Sequence, residues 1–190
     1  ISKDVAAGIF LKIEPFAEYG FNKSHAAAYA LIAYQTAYLK SYYKEDFIAA
    51  TMSTELTNTS KLREFVEELK KLEIEIIKPS INKCFSDFRA INGTIVYGLG
   101  AIKNVGFEAI SNIIKERENN GTFKSFVDFI NRVSAKDVNK LQLEGLVKAG
   151  VFDEFEKDRN KILNSIPKII QKIKNINDDK QSHQSNLFSA

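Results

Sequence analysis

Residues 98–117, GLGAIKNVGFEAISNIIKER, combine the residue types that can hold an anion without a metal. A short helical segment, 99–103, runs into a tight Asn104-Val105-Gly106 turn, and a helix with Ala109, Ile110 and Ile113 facing inward follows. Glycine adopts a left-handed backbone freely and asparagine tolerates it best among the rest, so Gly106, supported by Asn104, is expected to carry the reversal. N–H groups at the helix start would then face outward, where anions bind, with Lys103 and Lys115 as nearby cations. LEGLVKAGVFD has a similar pattern, placing Lys148, Ala149 and Gly150 between helices. An ordinary αα-hairpin with a glycine cap uses the same residues. In EYGFNKSHAAAYA, Tyr19, Asn22, Lys23, Ser24 and His25 crowd the start of an apolar helix. Ser24 as N-cap, with donors from Lys23 and His25, would suit a phosphate or a sugar hydroxyl, and equally a well-capped core helix. The polar end, QSHQSNLFSA, carries two large apolar side chains, Leu187 and Phe188, three and four residues after Gln184. A pocketed partner surface could bury both, each worth roughly 1.5–3 kcal/mol before ordering costs, with the Gln184 amide at the rim. The alternative is a Leu-Phe pair that folds back on its own helices.

The elements that must position these groups are mostly helical. Ser2 caps a first helix with Val5, Ile9, Ile13 and Phe16 on one side, and Pro15 is expected to end or kink it before the Gly20 loop. Ser24 opens a helix to Lys40 that is apolar nearly all round, hence buried on most faces and in need of more protein than residues 1–58 supply. A third helix is predicted over 44–55, and Leu62, Phe65, Val66, Leu69 and Leu72 give a fourth over 60–71. EIEIIK reads as a strand stopped by Pro79, and FSDFRAI and TIVYG flank Asn92-Gly93 as a hairpin. Further helices are predicted over 107–118, 123–132, 138–148 and 158–173, with a polar linker from 174. The fold class is mainly α with one small β-hairpin.

Composition narrows the function classes. The chain has 190 residues, is 44% hydrophobic, and contains no long uncharged apolar run that could span a bilayer. It shows neither an initiating Met nor a signal pattern, which reads as a piece of a longer polypeptide. One Cys and two distant His permit neither a disulfide framework nor a zinc site, which suits a reducing cytoplasm. The net charge of +3 is uneven: residues 81–175 hold 16 Lys/Arg against 11 Asp/Glu and seven of the nine glycines. That block is the place for a polyanionic partner.

The Asn104–Gly106 turn resembles the helix-hairpin-helix module that grips a DNA backbone phosphate without reading sequence, departing from it at Asn104, where the module has Gly. The series YGFNKSHAAAYALIAYQTAYLKSYYKEDFIAA, IVYGLGAIKNVG, GTFKSFVDF and LVKAGVFD resembles, in order and spacing, the C-family bacterial replicative polymerases, the DNA polymerase III alpha subunits. The resemblance covers nearly the whole chain. It implies the C-terminal part of a fingers domain (1–78), a tandem helix-hairpin-helix DNA-binding region (79–175) and a flexible tail (176–190). Tyr19, Asn22 and His25 would lie by the incoming deoxynucleotide, with Lys23 and Ser24 shaping the helix start. Lys103, Asn104, Gly106, Lys115, Lys148 and Gly150 would hold duplex primer–template DNA. Gln184, Leu187 and Phe188 are similar to the short peptide by which these polymerases grip the sliding clamp. Other replisome subunits are further expected partners, and a membrane is not. Family members hold Mg2+ on an Asp-x-Asp pattern in the palm; none occurs here, so no cofactor is expected in this segment, and alone it should not polymerise DNA. The competing readings are a stand-alone helix-hairpin-helix scaffold of a repair protein, and a protein-interaction module without DNA contact.

Overall fold

A computed structural model describes residues 1–17 and 23–182, which divide into two units, 1–44 and 45–190. In the first unit, α1 (Lys3–Ala17) starts where the Ser2 hydroxyl accepts a hydrogen bond from the Val5 N–H at 3.4 Å. Pro15 does not end it; the helix continues to Ala17. α2 (Lys23–Tyr42) begins one residue before Ser24, which therefore sits in its first turn rather than capping it. Its alanines and unbranched side chains favour the helix. No α2 residue is buried, and Tyr29, Leu31, Ile32, Tyr34, Tyr38 and Leu39 are exposed within this chain. Tyr34, Tyr38 and Tyr42 recur every four residues, with centroids 6.4 and 4.5 Å apart.

The second unit holds two apolar clusters. α3 (Lys44–Thr54) and α4 (Thr59–Lys71, capped by the Asn58 side chain) pack Ile48, Met52, Leu62 and Leu69 against Phe88 and Ile95 of the sheet region. The Ser53 hydroxyl ties α3 to Phe88, accepting from its N–H at 3.0 Å and donating to its carbonyl at 3.1 Å. The sheet is small: β1 (Ile76–Ile77) lies parallel to β3 (Thr94–Val96), which pairs antiparallel with β2 (Arg89–Ile91). Asn92 and Gly93, at φ of 52° and 77°, close the hairpin in the conformation expected of an Asn-Gly turn. Residues 45–78 thus share a core with the hairpin, and the compact-unit boundary falls after Lys44.

The larger cluster joins α5 (Phe107–Asn120), α6 (Phe126–Arg132), α7 (Lys140–Lys148) and α8 (Arg159–Ser182). Phe123, Phe129 and Phe152 are its largest buried side chains, with rings in edge contact 4.8–5.2 Å apart. Two polar ties pin its edges. The buried Arg117 donates from Nη1 to the carbonyls of Ile81 and Cys84, both at 2.7 Å. The Asn82 amide exchanges two hydrogen bonds with the Phe123 backbone, at 2.8 and 2.9 Å. α8 corrects the sequence reading most: it continues to Ser182 where a linker was expected from 174. Ile173 is buried, Ile176 packs against the cluster, and the Asn177 amide donates to the Ile173 and Val133 carbonyls at 2.8 and 3.4 Å.

Candidate nucleic-acid interface

The first hairpin is built from the sheet outward. After β3, the Leu99 and Gly100 N–H groups donate to the Phe85 and Ser86 carbonyls at 2.7 and 2.9 Å. A side chain at Gly98 or Gly100 would meet backbone at 2.8 or 2.7 Å, so glycine is required for this close approach. A single 3-10 turn, Leu99–Ala101, leads to the reversal. Ile102 and Val105 turn inward and anchor it, leaving Lys103 and Asn104 exposed between them.

The left-handed residue is Asn104, at φ 67°, and not Gly106, whose φ of −77° is ordinary. Asparagine tolerates that conformation because its short polar side chain carries little steric penalty there. Gly106 instead occupies the N-cap of α5 and has no side chain to satisfy the first-turn N–H groups. Those donors and the positive end of the helix dipole lie three residues after the exposed Lys103. Beside it lies an open depression of about 730 Å³ lined by Leu56, Thr57, Thr59, Lys103, Asn104 and Gln142 among others.

α7 holds the other wall. Asn139 and Gln142 form a reciprocal capping box at its start, both bonds at 2.9 Å. Gly145 lets α7 approach the hairpin: a Cβ there would stand 2.6 Å from the Lys103 carbonyl oxygen. Thr57, Thr59, Gln142 and Gly145 were not singled out from sequence; only the Asn-x-x-Gln spacing and a glycine inside a helix signal the last two.

The remaining predicted residues separate into distinct places. Lys115 is exposed on α5 about 12 Å along the helix from Phe107, two turns away from the reversal. Lys148 pairs with Glu144 at 3.5 Å. Gly150, at φ 82°, closes α7 in a Schellman turn, its N–H reaching the Val147 carbonyl at 3.0 Å and the Val151 N–H reaching Leu146 at 3.1 Å. No helix follows directly, since turns occupy 151–155 before α8 begins. The space over Gly150 is filled by the Arg159–Asp153 pair, and Arg159 also donates to the Lys148 carbonyl at 2.9 Å. Hydrogen bonding to Arg159 holds the Asp153 carboxyl below its ordinary pKa. The second turn is therefore closed by the protein's own ion pair, unlike the first.

At the start of α2, Lys23, Ser24 and His25 share one turn, and the His25 ring lies 4.3 Å from Tyr29. Tyr19, Asn22, Gln184, Leu187 and Phe188 lie outside the described residues. Among the described residues, no three His, Cys, Asp or Glu side chains gather as a metal site, and no helix is long and apolar enough to cross a membrane.

Residues 73–162 match a helix-hairpin-helix motif family. Over 188 residues the chain is 45% identical to the DNA polymerase III subunit alpha of Borreliella burgdorferi, covering 99% of this chain and 16% of that protein. The subunit of Caulobacter vibrioides is 40% identical over 190 residues, all of this chain and 17% of the relative. That of Thermus aquaticus is 43% identical over 171 residues, 90% of this chain and 14% of the relative.

Proposed function

Because the chain belongs to the family of DNA polymerase III alpha subunits, as a segment about 16% as long as its Borreliella relative, we propose that it serves DNA synthesis by gripping the duplex rather than by making bonds. The observation that carries this reading is the first hairpin: an exposed Lys103, an Asn104 reversal and an α5 start with no side-chain cap, lining one open depression. Such a site accepts one backbone phosphate and is indifferent to base sequence. Gly145 and the Asn139–Gln142 box keep the turn and α7 in register, so the donors are fixed before DNA arrives.

Lys23, Ser24 and His25, with Tyr19 and Asn22, would touch the incoming deoxynucleotide in the longer polypeptide. Gln184, Leu187 and Phe188 would seat in the sliding clamp. The carboxylates and Mg2+ of nucleotidyl transfer would belong to other segments of that longer polypeptide, on the family's Asp-x-Asp pattern, which does not occur in this sequence. Other replisome subunits, and the cytoplasm as the place of action, complete the reading. The faces of α2 left open by this chain speak against a self-contained repair scaffold.

Duplex binding measured over a salt series tests the grip. The 190-residue chain should bind duplexes of unrelated sequence alike, with log K falling linearly in log salt. Lys103→Gln should flatten that slope by about 0.9. Equal slopes for the two proteins would refute the phosphate grip.

A further inference from the structure

The polar face of α8 has no part in the interface described above. From Arg159 to Asn177 this helix carries five Lys/Arg and not one Asp or Glu. Ile162, Ile166, Ile169 and Ile173 are buried against the larger cluster. With 3.6 residues per turn, Lys168 and Lys172, both after Pro167, then fall on one line well away from that buried stripe. Lys168 and Lys172 stand about 6 Å apart along the axis.

The acids that adjoin the helix start are already engaged, Asp153 with Arg159 and Glu156 with Lys161. Lys168 and Lys172 are exposed and form no ion pair among the described residues. Their neighbours on this face are neutral: Asn164, Ser165, Gln171 and Asn175, the last two joined by a 2.9 Å hydrogen bond. An ordinary solvated helix face interleaves opposite charges at i,i+4, which quenches its field. Past its paired first turn, this one leaves Lys168 and Lys172 unquenched, the condition for attracting a polyanion. It also lacks a large exposed apolar side chain among its described residues, which a membrane-surface helix needs for insertion.

We propose that α8 lays Lys168 and Lys172 along the phosphate backbone of duplex DNA, as a second grip besides the hairpin. The inference rests on the reading that this chain binds DNA. Neighbouring cations with no acid between them fit a repeating polyanion better than an irregular acidic protein surface.

The test is equilibrium binding of the 190-residue chain to a duplex over a sodium chloride series, with three variants in parallel. The K168Q/K172Q double variant should flatten the log–log salt slope by about 0.9 per lysine removed and weaken binding alike for unrelated sequences. K70Q/K71Q removes the same charge from α4 and should leave the slope unchanged. Both pairs are exposed, so unfolding midpoints should match the unmodified chain. A slope for K168Q/K172Q equal to that of the unmodified chain or of K70Q/K71Q would overturn the inference. So would loss of poly-glutamate binding with duplex binding retained, which would point to an acidic protein partner. If K103Q flattens the slope while K168Q/K172Q does not, the hairpin reading stands and this inference alone falls. No duplex binding by the unmodified chain would remove both.

Discussion

At the scale of single residues, two positions bear directly on the hairpin. Gly145 has no room for a side chain beside the Lys103 carbonyl, so Gly145→Ala must push α7 and the reversal apart. Overpacking of this kind costs about 1–3 kcal/mol, and a lower unfolding midpoint with weaker DNA binding is expected in the same variant. Arg117 is only 7% exposed and has no carboxylate ion-pair partner among the described residues; its two carbonyl contacts compensate its burial. Arg117→Met would fill similar volume yet orphan both carbonyls, at about 1–3 kcal/mol for each, read by denaturant titration. Neither role was legible in advance. Lys and Arg are expected at surfaces, and a buried arginine is recognisable only once the 81–85 turn is seen to fold over it. Asn104 is the reverse case: both turn residues were identified, and the left-handed role went to the wrong one. A sequence pattern lists which residues can reverse a chain, whereas the buried neighbours Ile102 and Val105 decide which one does.

At the scale of elements, ion pairs at the ends of helices give the fold a definite response to acid. Hydrogen bonds from Arg159 to Asp153, from the Lys124 N–H to Asp128 and from Lys161 to Glu156 hold these carboxyls below their ordinary pKa values. A carboxylate with a depressed folded-state pKa stabilises the fold above its unfolded pKa, and that stability is lost as pH falls through the folded value. The unfolding midpoint should therefore be flat near neutrality and drop below about pH 4. Asp153→Asn should make that drop shallower, and an unchanged acid limb would show that the pair over Gly150 carries no weight. Burial pushes the Cys84 thiol up, so its reaction with a thiol reagent at pH 8 should be slow until the chain is denatured. The helices themselves were largely readable from apolar spacing, and the Asn-Gly hairpin from its turn residues. The extension of α8 past 173 was not, because 174–182 is polar. One isoleucine, Ile176, and the Asn177 amide tie its first turn to the body, and neither alters the local composition enough to be noticed.

At the scale of the whole chain, grip and tether should be separable. Changing Leu187 and Phe188 to Ala should abolish sliding-clamp binding and leave the duplex salt slope intact, whereas Lys103→Gln should do the opposite. Primer extension by the 190-residue chain with Mg2+ and deoxynucleotides is expected to be absent, and its presence would move the chemistry back into this segment. The unpartnered faces of α2 were half legible. Its all-round apolarity forecast burial, and the need for more protein than the first 58 residues supply was forecast with it; in this chain the helix stands uncovered. No α2 residue is buried, so the forecast of burial is not met within these 190 residues, and periodicity names no partner.

The placement of Tyr97 gives an optical handle on cooperativity. The chain has no Trp and seven Tyr, and Tyr97 is the only one beyond residue 44. Its partly buried ring packs against both apolar clusters of residues 45–190, with the Phe88 ring 5.0 Å away. Iodide should extinguish the emission of the exposed tyrosines of α2 and spare much of the signal from Tyr97. The surviving fluorescence then watches the seam between the two clusters: one sigmoid on heating means they melt as a unit, and two mean that the sheet parts from the helices first.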